Sequence, residues 1–415
     1  MHIVMVSAEY PPRWGGMGST VHHLSTHLAE KGHRVSVITR SNRKKHTSNH
    51  PNLHVFEVKW AKLPMHFTRS FAHYSVNKLE SIAANHRIDL IHLHLPMVSL
   101  TRKQMMKCNS IAPTLASLHG SWLGERDGLI AARRFGEAAV LRNPNDLSIL
   151  LSAKYYSKFE KISAQLANVS VANSNATRIE FVERYHMPED WRCETIYWGV
   201  NTELFSPVED PVSRRNIRDK IRHRYGFPQE SPLVLAVGRL AARKGYKTLL
   251  KSFKHVIQEV PGAKLLIIGR GGMKKKLYRY AKKNGFQSSI RIESSLDFDE
   301  LSEVYSSCDL TVFPSYYEGQ GLIPLEAMSS GIPVIATDCG PIPEMVDDTV
   351  GSLFQMGDDE DLARSIIDEL KDPQRLSEKG RIGRKRVIQN FSLIESCEKF
   401  LGLYESLSTN FSDQS

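Results

Sequence analysis

Two glutamates, Glu318 and Glu326, stand with seven residues between them in PSYYEGQGLIPLEAMSSGIPVIATDCG (314–340). The stretch GQGLIPLEAM reads as a glycine turn running into a helix, which puts Glu318 on the loop and Glu326 about one turn inside the helix. Gly319 and Gly321 leave backbone N–H groups open at that helix start, where unpaired amides and the helix dipole favour an anion. A carboxylate accepts hydrogen bonds from a vicinal diol with good geometry. Two carboxylates flanking an anion site therefore suit a ligand with a ribose at one end, a sugar at the other and phosphate between. A second group lies in VGRLAARKGYKTLL (237–250), where Arg239 and Lys244 follow a strand and precede a helix. An arginine forks onto phosphate oxygens and a lysine acts as a point charge, so the pair suits a diphosphate. A third is PPRWGGMGS (11–19), where Gly15 and Gly16 would let a phosphate or sugar approach the start of the next helix. Its spacing is not GxGxxG, and no acidic residue closes a second strand about 20 residues on, so a nicotinamide dinucleotide is not expected.

The elements that must position these loops alternate between strand and helix. In the first half HIVMVSA, RVSVITR, RIDLIHLH (87–94), PTLASLHG (113–120) and VSVANSN (169–175) read as strands. PLVLAVGRL (232–240), AKLLIIGRG (263–271), CDLTVFPS (308–315) and IPVIATDCG (332–340) restart the pattern in the second half. Strands apolar on both faces, separated by helices, indicate parallel sheets covered on both sides. Two such series predict an α/β protein with two doubly wound, Rossmann-like domains, joined near NTELFSPVEDP (201–211). The expected bounds are 1–203 for the first domain and 204–392 for the second. Residues 393–415 are expected to form a helix that packs back toward the first domain and ends in a frayed tail. Open parallel sheets bind ligands beyond the carboxyl ends of their strands, which is where the residues above fall.

Composition narrows the classes further. With 41% apolar and 24% charged residues the chain of 415 is neither disordered nor fibrous. No run approaches the roughly 18 apolar residues of a membrane span, and residues 1–8 read as a first strand rather than a signal peptide. Five scattered cysteines without CxxC spacing fit a reduced, cytoplasmic compartment and no zinc site. Residues 1–200 carry 25 Lys and Arg against 15 Asp and Glu, whereas 201–415 carry 30 against 30, so the whole net charge of +10 belongs to the first half. Its clusters include Arg40, Arg43, Lys44 and Lys45, then Lys59, Lys62 and Arg69 interleaved with Trp60, Leu63, Met65 and Phe67. Such a face is either simply solvated or meets an anionic lipid or acceptor, a peripheral contact at the inner membrane face in that case. No helix-turn-helix, zinc-finger or RRM signature accompanies it, so nucleic acid is not an expected partner. MKKKLYRYAKK (273–283) reads as a solvated helix face, and DDEDL (358–362) as charge at a helix N-terminus.

The block PSYYEGQGLIPLEAMSSGIPVIATDCGPIPEMV resembles the E-x7-E block of the retaining glycosyltransferases of family 4, which have the GT-B fold. The remaining blocks agree in order: the glycine pair near the N-terminus, a strand ending in His119-Gly120, IYWGVNTELF, GRL-x3-KG and IIGRGG. The similarity covers about residues 1–395. The opening SAEYPPRWGGMGS is also distantly similar to that of glycogen and starch synthases, which carry Lys-x-Gly-Gly there; here the nearest cation is Arg13. The resemblance implies a cleft between the two domains, with Arg239 and Lys244 on the donor diphosphate and Glu326 on the ribose. Glu318 would hold hydroxyls of the donor sugar, beside the backbone of Gly319, Gln320, Gly321 and Leu322. Gly269, in IIGRGG, would also border the donor. Gly15 and Gly16 would approach from the first domain, and His119 would face the sugar. Trp122 and Arg126, after His119-Gly120-Ser121, and Arg13 stand where acceptor contacts would lie. Gln320 replaces the aromatic residue common between the two glycines, which bears on sugar preference.

The reaction these residues point to is transfer of a sugar from a nucleotide sugar to an acceptor hydroxyl, with the sugar going to a glycan, a lipid-linked acceptor or a small molecule. Charge builds on the departing diphosphate, which fixed cations and a helix N-terminus would stabilise without a metal or other cofactor. The resemblance implies retention by a front-face route. A nucleotide-sugar epimerase and a catalytically silent nucleotide-sugar-binding protein are the alternatives.

Overall fold

The computed structural model describes residues 1–12, 15–42, 50–137, 140–294 and 296–412. They divide into two compact units, one made of Met1–Arg126, Pro144–Trp198 and Leu393–Ser415, the other of Asp127–Asn143 and Gly199–Ser392.

The first unit is built on seven strands: β1 (His2–Val6), β2 (Arg34–Arg40), β3 (Leu53–Val58), β4 (Leu90–Leu95), β5 (Thr114–Leu118), β6 (Val169–Ala172) and β7 (Cys193–Thr195). Their order is β3-β2-β1-β4-β5-β6-β7, and each pairing is parallel. Every residue of β1, β4 and β5 is buried. Such strands are largely apolar because helices cover both faces, and Val4, Val6, Ile91, Leu93 and Ala116 pack there with Phe71 and Leu79 of the helix His66–Ala83. The helix Leu393–Ser412 closes the unit. Its Glu398 carboxylate lies 2.9 Å from His27 Nε2, and its Phe400 ring stacks on Trp198 at 4.5 Å.

The second unit holds β8 (Leu233–Val237), β9 (Lys264–Ile268), β10 (Ile290–Glu293), β11 (Leu310–Phe313), β12 (Val334–Thr337) and β13 (Gly351–Phe354). The order is β10-β9-β8-β11-β12-β13, again parallel throughout. The helix Tyr246–Glu259 buries Leu249, Leu250, Phe253 and Val256, the three-and-four spacing that gives a helix one apolar face. Asp358 caps the helix Asp359–Leu370 by accepting from the amides of Glu360 and Asp361, so the acidic run there serves the helix start. Both units are therefore doubly wound α/β folds. In each, the strand order reverses beside the first strand, between β1 and β4 and between β8 and β11, and ligands of such sheets bind beyond that point.

The basic face expected in the first half is smaller than its sequence suggests. Arg40 is buried; its Nε donates to Ala8 O at 2.6 Å, and its guanidinium lies 5.0 Å from the Trp60 ring and 4.6 Å from that of Phe67. Arg69 donates to Ser99 O and Gln104 Oε1 and sits 4.6 Å over Phe159. Met65 is buried as well. These residues pack because a guanidinium stacks on aromatic faces while its N–H groups find carbonyls. Lys59, Lys62 and Leu63 remain exposed. Arg43, Lys44 and Lys45 lie outside the described residues. Among the described residues no helix is long and apolar enough to cross a membrane.

Candidate active site

In the second unit the loop after β8 and the loop after β11 are pressed together, and this brings predicted residues into contact. The first loop runs through Gly238 and Arg239 into a 3-10 turn, Ala242–Lys244, and then Gly245, which precedes the helix Tyr246–Glu259. Gly245 has φ +67, and a Cβ there would stand 1.9 Å from Pro314 O, so only glycine fits where the two loops touch. The amide of Tyr316 donates to Arg243 O at 2.8 Å, and Arg243 Nη1 donates to Tyr317 O at 3.3 Å. Tyr246 OH donates to Gly238 O at 2.9 Å. Gly269, after β9, is fixed by the same crowding: a Cβ on it would fall 1.8 Å from Gly238 O.

Held this way, Lys244 Nζ and the Glu318 carboxylate form an ion pair, with both side chains largely buried. Burial alone would raise the pKa of Glu318; the charges of Lys244 and Arg243 outweigh it and hold the carboxyl below its ordinary value. Arg239 is exposed, and its side chain has no hydrogen-bond or ion-pair partner among the described residues. Gly319 and Gln320 are buried, and Gly321, at φ +111, is the N-cap of the helix Leu322–Ser329. No side chain caps that helix, so its first amides, including that of Leu322, have no capping acceptor. Glu326 lies inside the helix and accepts from Tyr305 OH at 3.0 Å. Burial raises its pKa to about 7.

Three further residues shape this site without an evident signal in the sequence. Arg243 is the third cation of the cluster and lies between Arg239 and Lys244 in the chain. Tyr305, from the helix Phe298–Ser307, is the partner of Glu326. Glu137 comes from the segment Asp127–Asn143, which belongs to this unit although it lies about a hundred residues earlier in the chain. Its Oε1 accepts from the Lys247 amide at 2.8 Å, at the start of the helix that follows Lys244, and Lys247 Nζ donates to Gly136 O at 2.8 Å. The neighbouring Phe135 ring lies 5.4 Å from Tyr316. The segment thereby braces both loops. Burial raises the Glu137 pKa to about 7.

In the first unit Gly15 is the N-cap of the helix Gly16–Glu30, with no side-chain cap, so this helix start is also open. Arg13 lies outside the described residues. His119 follows β5 and stacks on Trp198, with centroids 5.2 Å apart and planes 9° from parallel. Its Nε2 is 3.0 Å from His94 Nδ1, and burial lowers its pKa to about 3. Trp122 does not offer its ring to an acceptor. It is 4% exposed, packs with Met65, Ala153 and Tyr156, and donates its indole N–H to Pro96 O at 3.2 Å. Its backbone N–H is held by the Glu160 carboxylate at 3.1 and 3.2 Å, so the residue secures the start of the helix Trp122–Arg134. Arg126, one turn on, is half-buried.

Comparison with known proteins adds to this geometry. The sequence profile of Glycosyltransferase Family 4 matches residues 14–204, and that of Glycosyl transferases group 1 matches residues 217–386. An uncharacterized glycosyltransferase of Methanocaldococcus jannaschii is 27% identical over 356 residues, 85% of each chain. Glycogen synthase of Mycobacterium tuberculosis is 28% identical over 407 residues, 94% of this chain and 91% of that one. Among solved structures, sucrose-phosphate synthase from Thermosynechococcus elongatus has a TM-score of 0.79 at 22% identity, covering 99% of both chains, which shows a shared fold.

Proposed function

Since the chain belongs to the family 4 glycosyltransferases, a GT-B group distantly related to the glycogen and starch synthases, we propose that it moves a sugar from a nucleoside diphosphate to an acceptor hydroxyl with retention at the anomeric carbon. The observation that carries the reading is the meeting of Lys244 and Glu318 beside the uncapped helix start at Gly321–Leu322. Arg239, Lys244 and the helix amides take the diphosphate. Glu326 accepts from the ribose hydroxyls, and Glu318 from hydroxyls of the donor sugar. Gly15, Gly16 and His119 of the first unit serve the donor as well. The acceptor hydroxyl attacks the anomeric carbon from the leaving-group side. Its oxygen forms the new glycosidic bond as the bond to the phosphate oxygen breaks, and its proton passes to that departing oxygen. The charge developing on the diphosphate meets cations already in place, so the step requires no divalent metal.

Incubation with nucleotide sugars and candidate acceptors in excess chelator, followed by NMR of the anomeric proton, tests this reading. The expected result is a glycoside with the donor's anomeric configuration and one equivalent of nucleoside diphosphate. An inverted product, an epimerised donor formed without acceptor, or no turnover with any donor that binds would each overturn it.

The same reading includes a peripheral contact with an anionic membrane. Along the helix Pro144–Leu166, Leu147, Leu151 and Tyr155 recur every fourth residue and are 37%, 79% and 55% exposed. Exposed Lys154 and Lys158 flank this stripe. An apolar stripe edged with lysines lies well on an acidic lipid surface. Sedimentation with phosphatidylglycerol vesicles should carry the protein down, less so at high salt and less so in Leu151→Glu/Tyr155→Glu. Absence of salt-sensitive sedimentation removes the contact.

A further inference from the structure

The two histidines of β4 bear on the hydrogen-bonding state of His119. His92 and His94 are two apart on one strand, so both side chains leave the same face. Their ring centroids are 3.9 Å apart, and neither ring is exposed. His92 is fully partnered, its Nδ1 2.6 Å from Tyr404 OH and its Nε2 2.7 Å from Ser117 Oγ. His94 differs. Its Nδ1 lies 3.0 Å from Nε2 of His119, but its own Nε2 is buried without a partner among the described residues. Burial keeps the pKa of His94 well below the ordinary histidine value and that of His119 at about 3, so each ring is neutral and carries one N–H.

Two tautomer sets satisfy the contact. In the first, His119 Nε2–H donates to His94 Nδ1, which forces the hydrogen of His94 onto its buried, partnerless Nε2. A sealed donor of that kind forfeits its bond to water and gains nothing in return. In the second, His94 Nδ1–H donates to His119 Nε2, and only a bare lone pair is left at His94 Nε2. Orphaned buried N–H groups are the rarer defect in proteins, so the second set is favoured. His119 must then hold its hydrogen on Nδ1. That atom has no partner among the described residues and belongs to a residue that is half-buried rather than sealed. The parallel stack on Trp198 fixes the ring plane.

We propose that His94 is a positioning residue that locks His119 in its Nδ1–H tautomer, so that His119 meets its ligand as a hydrogen-bond donor to an oxygen and never as a base. The ligand side of this inference rests on the donor-site reading of His119 given above; the tautomer does not. It leaves the acceptor's proton to the departing phosphate.

Long-range 1H–15N correlation spectra of the full chain labelled with 15N-histidine read the tautomer directly, with His94→Phe and His119→Gln assigning the signals. Expected is a protonated Nδ1 and bare Nε2 on both residues without any substrate. A protonated Nε2 on His119 overturns the proposal while leaving the donor-site reading intact. In His94→Phe, which keeps a ring but removes the donor, His119 should shift toward the Nε2–H form and kcat/KM should fall about fivefold, the worth of one neutral hydrogen bond. His94→Asn places an N–H where Nδ1 stood and should restore both readouts, and it serves as the test if the phenylalanine variant does not fold. An unchanged kcat/KM in a folded variant whose tautomer has shifted overturns the positioning role.

Discussion

Alanine at position 244 is expected to lower kcat/KM for the nucleotide sugar by at least about 100-fold. A fixed donor aimed at charge that develops in the transition state is typically worth ~10² to 10³ in rate, and the proposed function gives that part to Lys244, held by the 3-10 turn after β8. The variant also loses stability, because Glu318 is left largely buried without its cation; breaking such a pair costs about 3–5 kcal/mol. The two effects separate in further variants. Lys244→Met/Glu318→Gln removes both charges and should recover much of the melting temperature while activity stays lost. The Arg239 side chain is exposed and unpartnered among the described residues, so Arg239→Ala should melt like the wild type yet lose at least about tenfold in kcat/KM. Full activity in purified, folded Arg239→Ala would refute the phosphate role of this loop.

The second large effect is a pH dependence set by Glu326. Burial raises its pKa to about 7, and the hydrogen bond from Tyr305 only partly offsets that. In the proposed role ribose hydroxyls donate to the ionised carboxylate, so binding selects the deprotonated form and releases a proton. Affinity for a nucleoside diphosphate should therefore rise with pH and level off above about pH 8. One unit below the pKa, near pH 6, affinity should be about tenfold weaker than on the plateau. The ligand's own phosphate titrates nearby, with a second pKa of about 6. Glu326→Gln keeps that contribution and removes the other, so the difference in slope between the two proteins belongs to Glu326. Linkage predicts a matching trend in the ligand-free protein. The native state holds the proton more tightly than the unfolded chain, so wild-type stability relative to Glu326→Gln should decline as pH rises from about 4.5 to about 7. Equal slopes for wild type and Glu326→Gln would remove Glu326 from the ribose.

What could be read from the residues alone follows from burial. Nine strands announced themselves as apolar runs because helices cover them on both faces. The four that did not, β3, β7, β10 and β13, are the edges of the two sheets. Edge strands are half-solvated, and CET of β7 or IRIE of β10 carries no continuous apolar run to notice. The loops bearing Arg239, Lys244, Glu318 and Glu326 were legible because glycine turns, strand ends and helix starts coincide there. Their bracing was not. Glu137 and Phe135 reach the site from a distant part of the chain, and nothing in GLIAARRFGEAAV marks them. His94 looks like a core residue of a buried strand, and only its distance from His119 gives it a second meaning. Trp122, Arg40 and Arg69 misled in the opposite direction. Each is a residue type often found at binding surfaces, and each is instead spent on internal packing.

The central claim is that the loops after β8 and β11 grip a diphosphate. Calorimetric titration of a nucleoside diphosphate against its parent nucleoside, in wild type and in Arg239→Ala/Lys244→Ala, tests it most directly. Each charge-assisted contact is worth about 1.5–3 kcal/mol, so the wild type should prefer the diphosphate by at least about 100-fold. In the double variant that preference should collapse to within about tenfold while nucleoside binding is retained. A diphosphate preference that survives the loss of both cations contradicts the account.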